Sequence, residues 1–152
     1  MTNRTLRALG LAAIAAVAAA ALAASPASAG QYGRFLDSSS ASGTWTDTPG
    51  AAANGTVRNP RSFTVVVTGN PQPSYFCTDD RACREITVAW SVACKKNGGY
   101  KLKRSQVIST STRIVAYAKL PMRNPQRCSI SASGQLAYYA GGSVSVAIYY
   151  RR

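Results

Sequence analysis

The chain has 152 residues, with 18 Lys and Arg against five Asp and Glu and no His, giving a net charge of +13. Without histidine, Ser-His-Asp and Cys-His nucleophile systems and histidine general bases are excluded. The cationic excess favours anionic partners such as envelope polymers, nucleic acid, acidic polysaccharide or anionic lipid, and says nothing of the fold.

Residues 1–29 read as a cleavable export signal. Arg4 and Arg7 precede an apolar run from Leu9 to Ala24, and Ala27-Ser28-Ala29 is a small-x-small cleavage site. The run falls short of the roughly 20 residues needed to span a bilayer. Cleavage after Ala29 is expected to leave a secreted chain starting at Gly30, without a transmembrane segment. That product has 123 residues and keeps 16 of the cations and all five acids, a net +11, which is one domain's worth of chain. Residues 30–60 form a Ser/Ala/Gly/Thr-rich stretch expected to be weakly ordered. Trp45 is the only large apolar side chain between Asp37 and Pro60, and a short edge strand is expected near Thr44 to Thr46. Asn54-Gly55 reads as a turn.

Past Pro60, in the segment 61–152, side chains alternate with period two. Phe63, Val65 and Val67 share one face before Gly69 to Pro73 is expected to break the strand. Ile86, Val88, Trp90, Val92 and Cys94 line the next, which puts Trp90 in the core. Asn97-Gly98-Gly99 turns the chain into a cationic return strand, Tyr100 to Ile108. Thr112, Ile114, Ala116, Ala118 and Leu120 form another inner row, and Pro121 and Pro125 mark a loop. Cys128, Ile130, Ala132, Gly134, Leu136 and Tyr138 follow. Gly141-Gly142 is read as a turn before Val144, Val146, Ile148 and Tyr150. Short alternating strands punctuated by Gly, Pro and Asn predict an all-β, antiparallel sandwich of six or seven strands.

Four cysteines in an exported chain imply two disulfides, and three pairings are possible. Cys77 and Cys83 flank a short polar loop and are partners by proximity, which leaves Cys94 with Cys128. Those two sit on the inward rows of separate strands, so a bond through the core, between sheets, is geometrically reasonable. This arrangement resembles the immunoglobulin-like sandwich over residues 62 to 151, where one disulfide links facing strands. It departs from that pattern because Trp90 precedes Cys94 on the same strand and Tyr138 follows Cys128. The expected fold is therefore an immunoglobulin-like or other Greek-key sandwich.

No catalytic, cofactor-binding or metal-binding residue is expected. Zinc lacks paired short Cys spacings, and Asp79-Asp80 offers too few oxygens for a calcium cage. Two surfaces stand out instead. Lys95, Lys96, Tyr100, Lys101, Lys103 and Arg104 cluster around the Asn97 turn as a candidate anion-binding hairpin. Arg113, Tyr117, Lys119, Tyr149 and Arg151 form a candidate contact face on outward rows. The expected function is a non-catalytic exported binding protein for an anionic envelope polymer or a protein partner. A secreted antimicrobial effector or enzyme inhibitor, with the Cys77–Cys83 loop as its rigid insert, is the alternative. A hydrolase with an unusual His-free site is the third.

Overall fold

The computed structural model describes residues 27–96, 99–120 and 127–152. The expected signal segment up to residue 26, the turn expected at Asn97-Gly98 and the loop expected from Pro121 to Pro125 lie outside them. A short helix, α1 (Ala27–Tyr32), leads into β1 (Arg34–Gly43), β2 (Gly50–Val57) and β3 (Ser62–Pro73). A helical turn, α2 (Asp80–Cys83), precedes β4 (Ile86–Lys96), β5 (Gly99–Ser109), β6 (Arg113–Lys119), β7 (Arg127–Leu136) and β8 (Ala140–Arg151). No described helix is long and apolar enough to cross a membrane.

All pairs are antiparallel, and the eight strands form two packed sheets ordered β1-β8-β3-β6 and β2-β7-β4-β5. The pairs β1·β8, β2·β7, β3·β6 and β4·β5 are those of one long hairpin folded over, and β3·β8 with β4·β7 close each sheet. This is the double Greek key of a jelly roll. The Greek-key half of the expectation describes it and the immunoglobulin-like half does not. Eight strands replace the expected six or seven because the small-residue stretch contributes two.

Those two are β1 and β2, where a weakly ordered segment was expected. Ser, Ala and Gly carry little hydrophobic signal, yet here they are held by ladders along β8 and β7. Small side chains are also what the packing requires. Between Phe35 and Asp37 the β1 register slips by one residue, and a Cβ added to Gly55 would lie 2.7 Å from Leu36 Cγ. Asn54-Gly55 is thus mid-strand, opposite Ser131 and Ile130, and not a turn. The expected edge strand at Thr44 to Thr46 is instead a turn closed by the Asp47 amide donating to the Thr44 carbonyl at 3.1 Å.

Strand β3 also runs on past its expected break. Its ladder with β6 ends at Thr68, after which the Gly69 amide still donates to Thr112 O at 2.8 Å. Amides at 71 and 73 share that direction, toward an edge with no further partner, so Pro71 and Pro73 cost no hydrogen bond while β3 stays paired with β8 through Pro73. The turn read at Gly141-Gly142 falls earlier, at Tyr138-Tyr139, and both glycines lie inside β8. Gly142 has φ +112°, and a Cβ there would meet Asn70 O at 2.1 Å. Gly142→Ala is expected to lower stability by about 1–3 kcal/mol through that strain, read as a drop in the urea midpoint at unchanged m.

The core lies between the sheets. Phe63, Val65, Val67, Val144, Val146 and Ile148 face Ile86, Val88, Val92, Ile130, Ala132 and Leu136, with Trp90 buried as expected. Cys77–Cys83 and Cys94–Cys128 are both formed. The second does not cross between sheets: Cys94 and Cys128 are register partners on β4 and β7 of the same sheet, with Cα atoms 4.1 Å apart.

Candidate functional site

Strand direction sorts the charges by end. The starts of β1 and β7, the β2–β3 connection, the β4–β5 hairpin and the ends of β6 and β8 converge at one end of the sandwich. The Arg61 amide donates to Arg151 O at 2.7 Å, the Leu120 amide to Arg61 O at 3.3 Å, and Lys95 pairs with Arg127 in register. Arg34, Arg58, Arg61, Lys95, Lys101, Lys119, Arg127, Arg151 and Arg152 are all here. Of the five acids only Asp37 is near, two register positions in from Arg34, where it accepts from the Asn54 amide at 2.9 Å; Asp47, Asp79, Asp80 and Glu85 belong to connections at the opposite end. Among the described residues the single ion pair, Arg84 to Asp80 at 2.9 Å, is also at that opposite end.

The candidate hairpin is divided by alternation. Lys95, Tyr100 and Arg104 lie on the outer face of the β2-β7-β4-β5 sheet, since Lys95 opposes Tyr100 and Ser91 opposes Arg104. Lys101 and Lys103 oppose Cys94 and Val92 and point the other way, with Lys103 Nζ 5.4 Å from the Trp90 ring centroid. The side chain of Lys96 is outside the described residues. Arg127, which the sequence reading left out, joins Lys95 and Tyr100 in one row across the outer face.

One outer row, Thr56, Ser129, Ala93 and Leu102, separates that row from a shallow trough of about 570 Å³ lined by Asn54, Ser91, Arg104, Gln106, Ser131 and Ser133 among others. Asn54, Ser131, Ser91 and Arg104 form one register row, and Ala52, Ser133, Ala89 and Gln106 the next. Side chains this small leave the pleated backbone as the floor. Ser91 Oγ and Ser131 Oγ are hydrogen-bonded to each other at 2.8 Å, so the open polar side chains are Asn54 on β2, Ser133 on β7, and Arg104 and Gln106 on β5.

The second candidate face lies on the outside of the other sheet. Arg113, Tyr117, Lys119 and Arg151 are exposed there, but Tyr149, expected outward and open, is only 3% exposed. The chain before and at the start of β1 accounts for this: Tyr32 and Phe35 pack on Tyr149 with ring centroids 5.5 and 5.9 Å away. Arg113 donates to Tyr32 Oη at 2.9 Å and Arg151 donates to Gln31 O at 2.6 Å, so three of the five residues, Arg113, Tyr149 and Arg151, are engaged by this segment.

At the far end, three connections bring five aromatic rings together. Trp45 comes from the β1–β2 turn, Tyr75 and Phe76 from the β3–β4 connection, and Tyr138 and Tyr139 from the β7–β8 turn. Phe76 touches Trp45 and Tyr75 at centroid distances of 5.0 and 3.9 Å, and Tyr139 lies 6.3 Å from Trp45 and 4.2 Å from Tyr138. Alternation had placed Tyr138 inward and Tyr139 outward; because both occupy a turn, both are exposed.

Neither a protein-family model nor a curated protein matches the sequence. Among solved structures, TmCBM61 in complex with β-1,4-galactotriose is similar at 14% identity and a TM-score of 0.43, over 78% of this chain and 68% of that one.

Three of the four acids of the aromatic end are occupied locally. Asp79 caps α2, accepting from the Arg81 and Ala82 amides at 3.0 and 3.2 Å, and the Cys77–Cys83 loop thereby contains a helical turn. The Arg84 side chain hydrogen-bonded to Asp80 holds that carboxyl below its ordinary value. Asp47 is likewise held low, first by the Thr44 hydroxyl at 2.8 Å and then by the Thr44 amide at 2.9 Å. A depressed folded-state pKa stabilises above the unfolded value and is lost as pH falls through the folded one. Acidification below about pH 4 should therefore loosen the Thr44–Asp47 turn and shift Trp45 fluorescence. In a Trp90→Phe background, Asp47→Asn is expected to abolish that titration.

What sequence reasoning missed here is contiguity. Trp45 was visible as a lone large apolar residue among small ones, and Tyr75-Phe76 followed a proline break, but only the jelly-roll topology brings the three connections to one end.

Proposed function

We propose that this chain is an exported, non-catalytic binding protein that holds an anionic polymer at its basic end. The observation that carries the reading is the segregation of charge: cations from six elements meet where Asp37 is the one nearby acid, and no described ion pair forms there. Such an end projects a positive field that draws in polyanions, and the field is largest where the surface is not self-paired. Lys95, Tyr100, Arg104 and Arg127 give that field a contact surface on the outer face of the β2-β7-β4-β5 sheet, reaching the trough at Arg104. Arg104 and Arg127 supply planar forks for phosphate or sulfate, Lys95 a point charge. Tyr100, 72% exposed, adds an amphipathic ring beside them.

The absence of histidine and the local engagement of Asp47, Asp79 and Asp80 support the non-catalytic part. The test is retention on dextran sulfate resin, with neutral dextran resin as control. Retention on the sulfated resin alone, lost as salt rises and lost on removing Lys95 and Arg127, is the expected result. Equal elution from both resins at low salt would overturn the reading.

A further inference from the structure

We propose a second binding site at the opposite end, where the five-ring cluster is a platform for a neutral saccharide. Five aromatic residues from three connections form a continuous arc, Tyr75 to Phe76 to Trp45 and Tyr139 to Tyr138, whose outermost rings are the most open. Tyr75 is 83% and Tyr138 69% exposed, while Phe76 and Tyr139 still show 46% and 38%. An exposed aromatic surface of this size is uncommon unless something covers it.

The platform is also built at a cost that packing alone does not require. Tyr139 has φ +64° and Thr48, in the Trp45 connection, φ +44°, a bulky and a β-branched residue in the left-handed region. Residues of these kinds are rare there, and such strain concentrates at binding sites. Covalent and hydrogen-bonded ties hold the loops in place: Cys77–Cys83 closes the segment after Phe76, and the Ser74 amide donates to Tyr139 O at 3.1 Å, joining two of the three connections. A site held rigid before binding loses less entropy when it is filled.

The chemistry of the ligand follows from what the rings lack. Asp47, Asp79 and Asp80 are bound to their own turns, and Arg84 is paired with Asp80. That leaves Glu85 and Arg81, one charge of each sign, as the groups here without a described side-chain partner, so no cluster of like free charge marks the platform for an ion. Neighbouring rings are tilted by 36° to 59°, so they do not form one flat surface for a flat protein face. Each offers its own facet instead. A pyranose has an apolar face of C–H bonds ringed by hydroxyls. An exposed tyrosine, with an apolar ring and a polar tip, complements both parts.

The two ends lie roughly 36 Å apart along β8, so one chain can hold a polyanion and a neutral glycan at once. The experiment titrates the intact protein with maltotetraose, cellotetraose and tetra-N-acetylchitotetraose by NMR, alongside Tyr75→Ala/Tyr138→Ala and Lys95→Gln/Arg127→Gln. The expected result is saturable binding of at least one sugar, unchanged between low and high salt. It should weaken at least tenfold in the tyrosine variant and stay unaltered in the basic-end variant. Both tyrosines are largely exposed, so an unchanged melting temperature is expected to show that the fold persists. No shift with any of the three sugars at 10-fold excess over millimolar protein overturns the proposal. So does dimerisation that disappears in the tyrosine variant, which would assign the rings to a second copy. Retention on dextran sulfate is read separately, so either end can fail alone.

Discussion

Cys94→Ala/Cys128→Ala is expected to lose about 4 kcal/mol of stability, roughly twice the loss from Cys77→Ala/Cys83→Ala. The two bonds close chain separations of 34 and 6 residues, and in the loop-entropy account the longer closure restricts the unfolded chain more. Position adds to length. Cys94 and Cys128 are buried register partners on β4 and β7, a pair brought together only when the folded-over hairpin closes on itself. Cys77 and Cys83 bracket a turn that its own Asp79 cap already holds. Against a typical total of about 5–15 kcal/mol, losing the longer bond leaves a marginal domain. Urea unfolding of the two double variants measures the order directly. Equal losses would mean that the β4–β7 bond acts only locally, and that closure of this sheet does not depend on it.

The legibility of this fold in its sequence tracks where large side chains were needed. Strands β4 and β8 announce themselves because their inner rows face the centre of the core and hold a run of Ile, Val and Trp at alternate positions. Strand β7 does so through a strict alternation of Cys128, Ile130, Ala132, Gly134 and Leu136 against polar neighbours. Strands β1 and β2 are silent because they lie at the sandwich margin, where Leu36 against Gly55 leaves room only for Ala, Ser and Gly. Period two is present there, as the burial of Ala51, Ala53 and Val57 shows, but alanine against serine is too weak a contrast to read. The prolines of β3 misled for a related reason. A break is inferred from a proline's missing donor, yet whether that donor was needed depends on the neighbouring β6, whose pairing with β3 stops at Thr68.

The surfaces were legible only in part. Counting cations near the expected Asn97 turn gathers one segment of chain, but alternation sends Lys101 and Lys103 away from Lys95 and Arg104, and Arg127 comes beside Lys95 from a strand 32 positions along the chain. Tyr149 was assigned outward correctly by parity and then covered by Tyr32 and Phe35, an event that no pattern within β8 encodes. The aromatic end depends on three turns separated by about 30 and 60 residues, so it exists only as a product of topology.

The second large effect separates placement of charge from its amount. Lys95→Gln/Arg127→Gln and Arg81→Gln/Arg84→Gln each remove two cations from the same chain, at opposite ends. If net charge alone held the polymer, the two variants would elute from dextran sulfate together. If the basic end is the site, only the first weakens, by about 2 kcal/mol at roughly 1 kcal/mol per cation against a polyanionic surface, or on the order of 30-fold in affinity. Its plot of log affinity against log salt should flatten by about two counterions, while the second variant keeps the parent slope. The control costs the fold little, since the Arg84–Asp80 pair is exposed on both sides and such pairs contribute weakly. Polyanion binding that falls equally in both variants would leave the protein cationic and adhesive but without a site, and the segregation of acids from bases would then serve solubility alone.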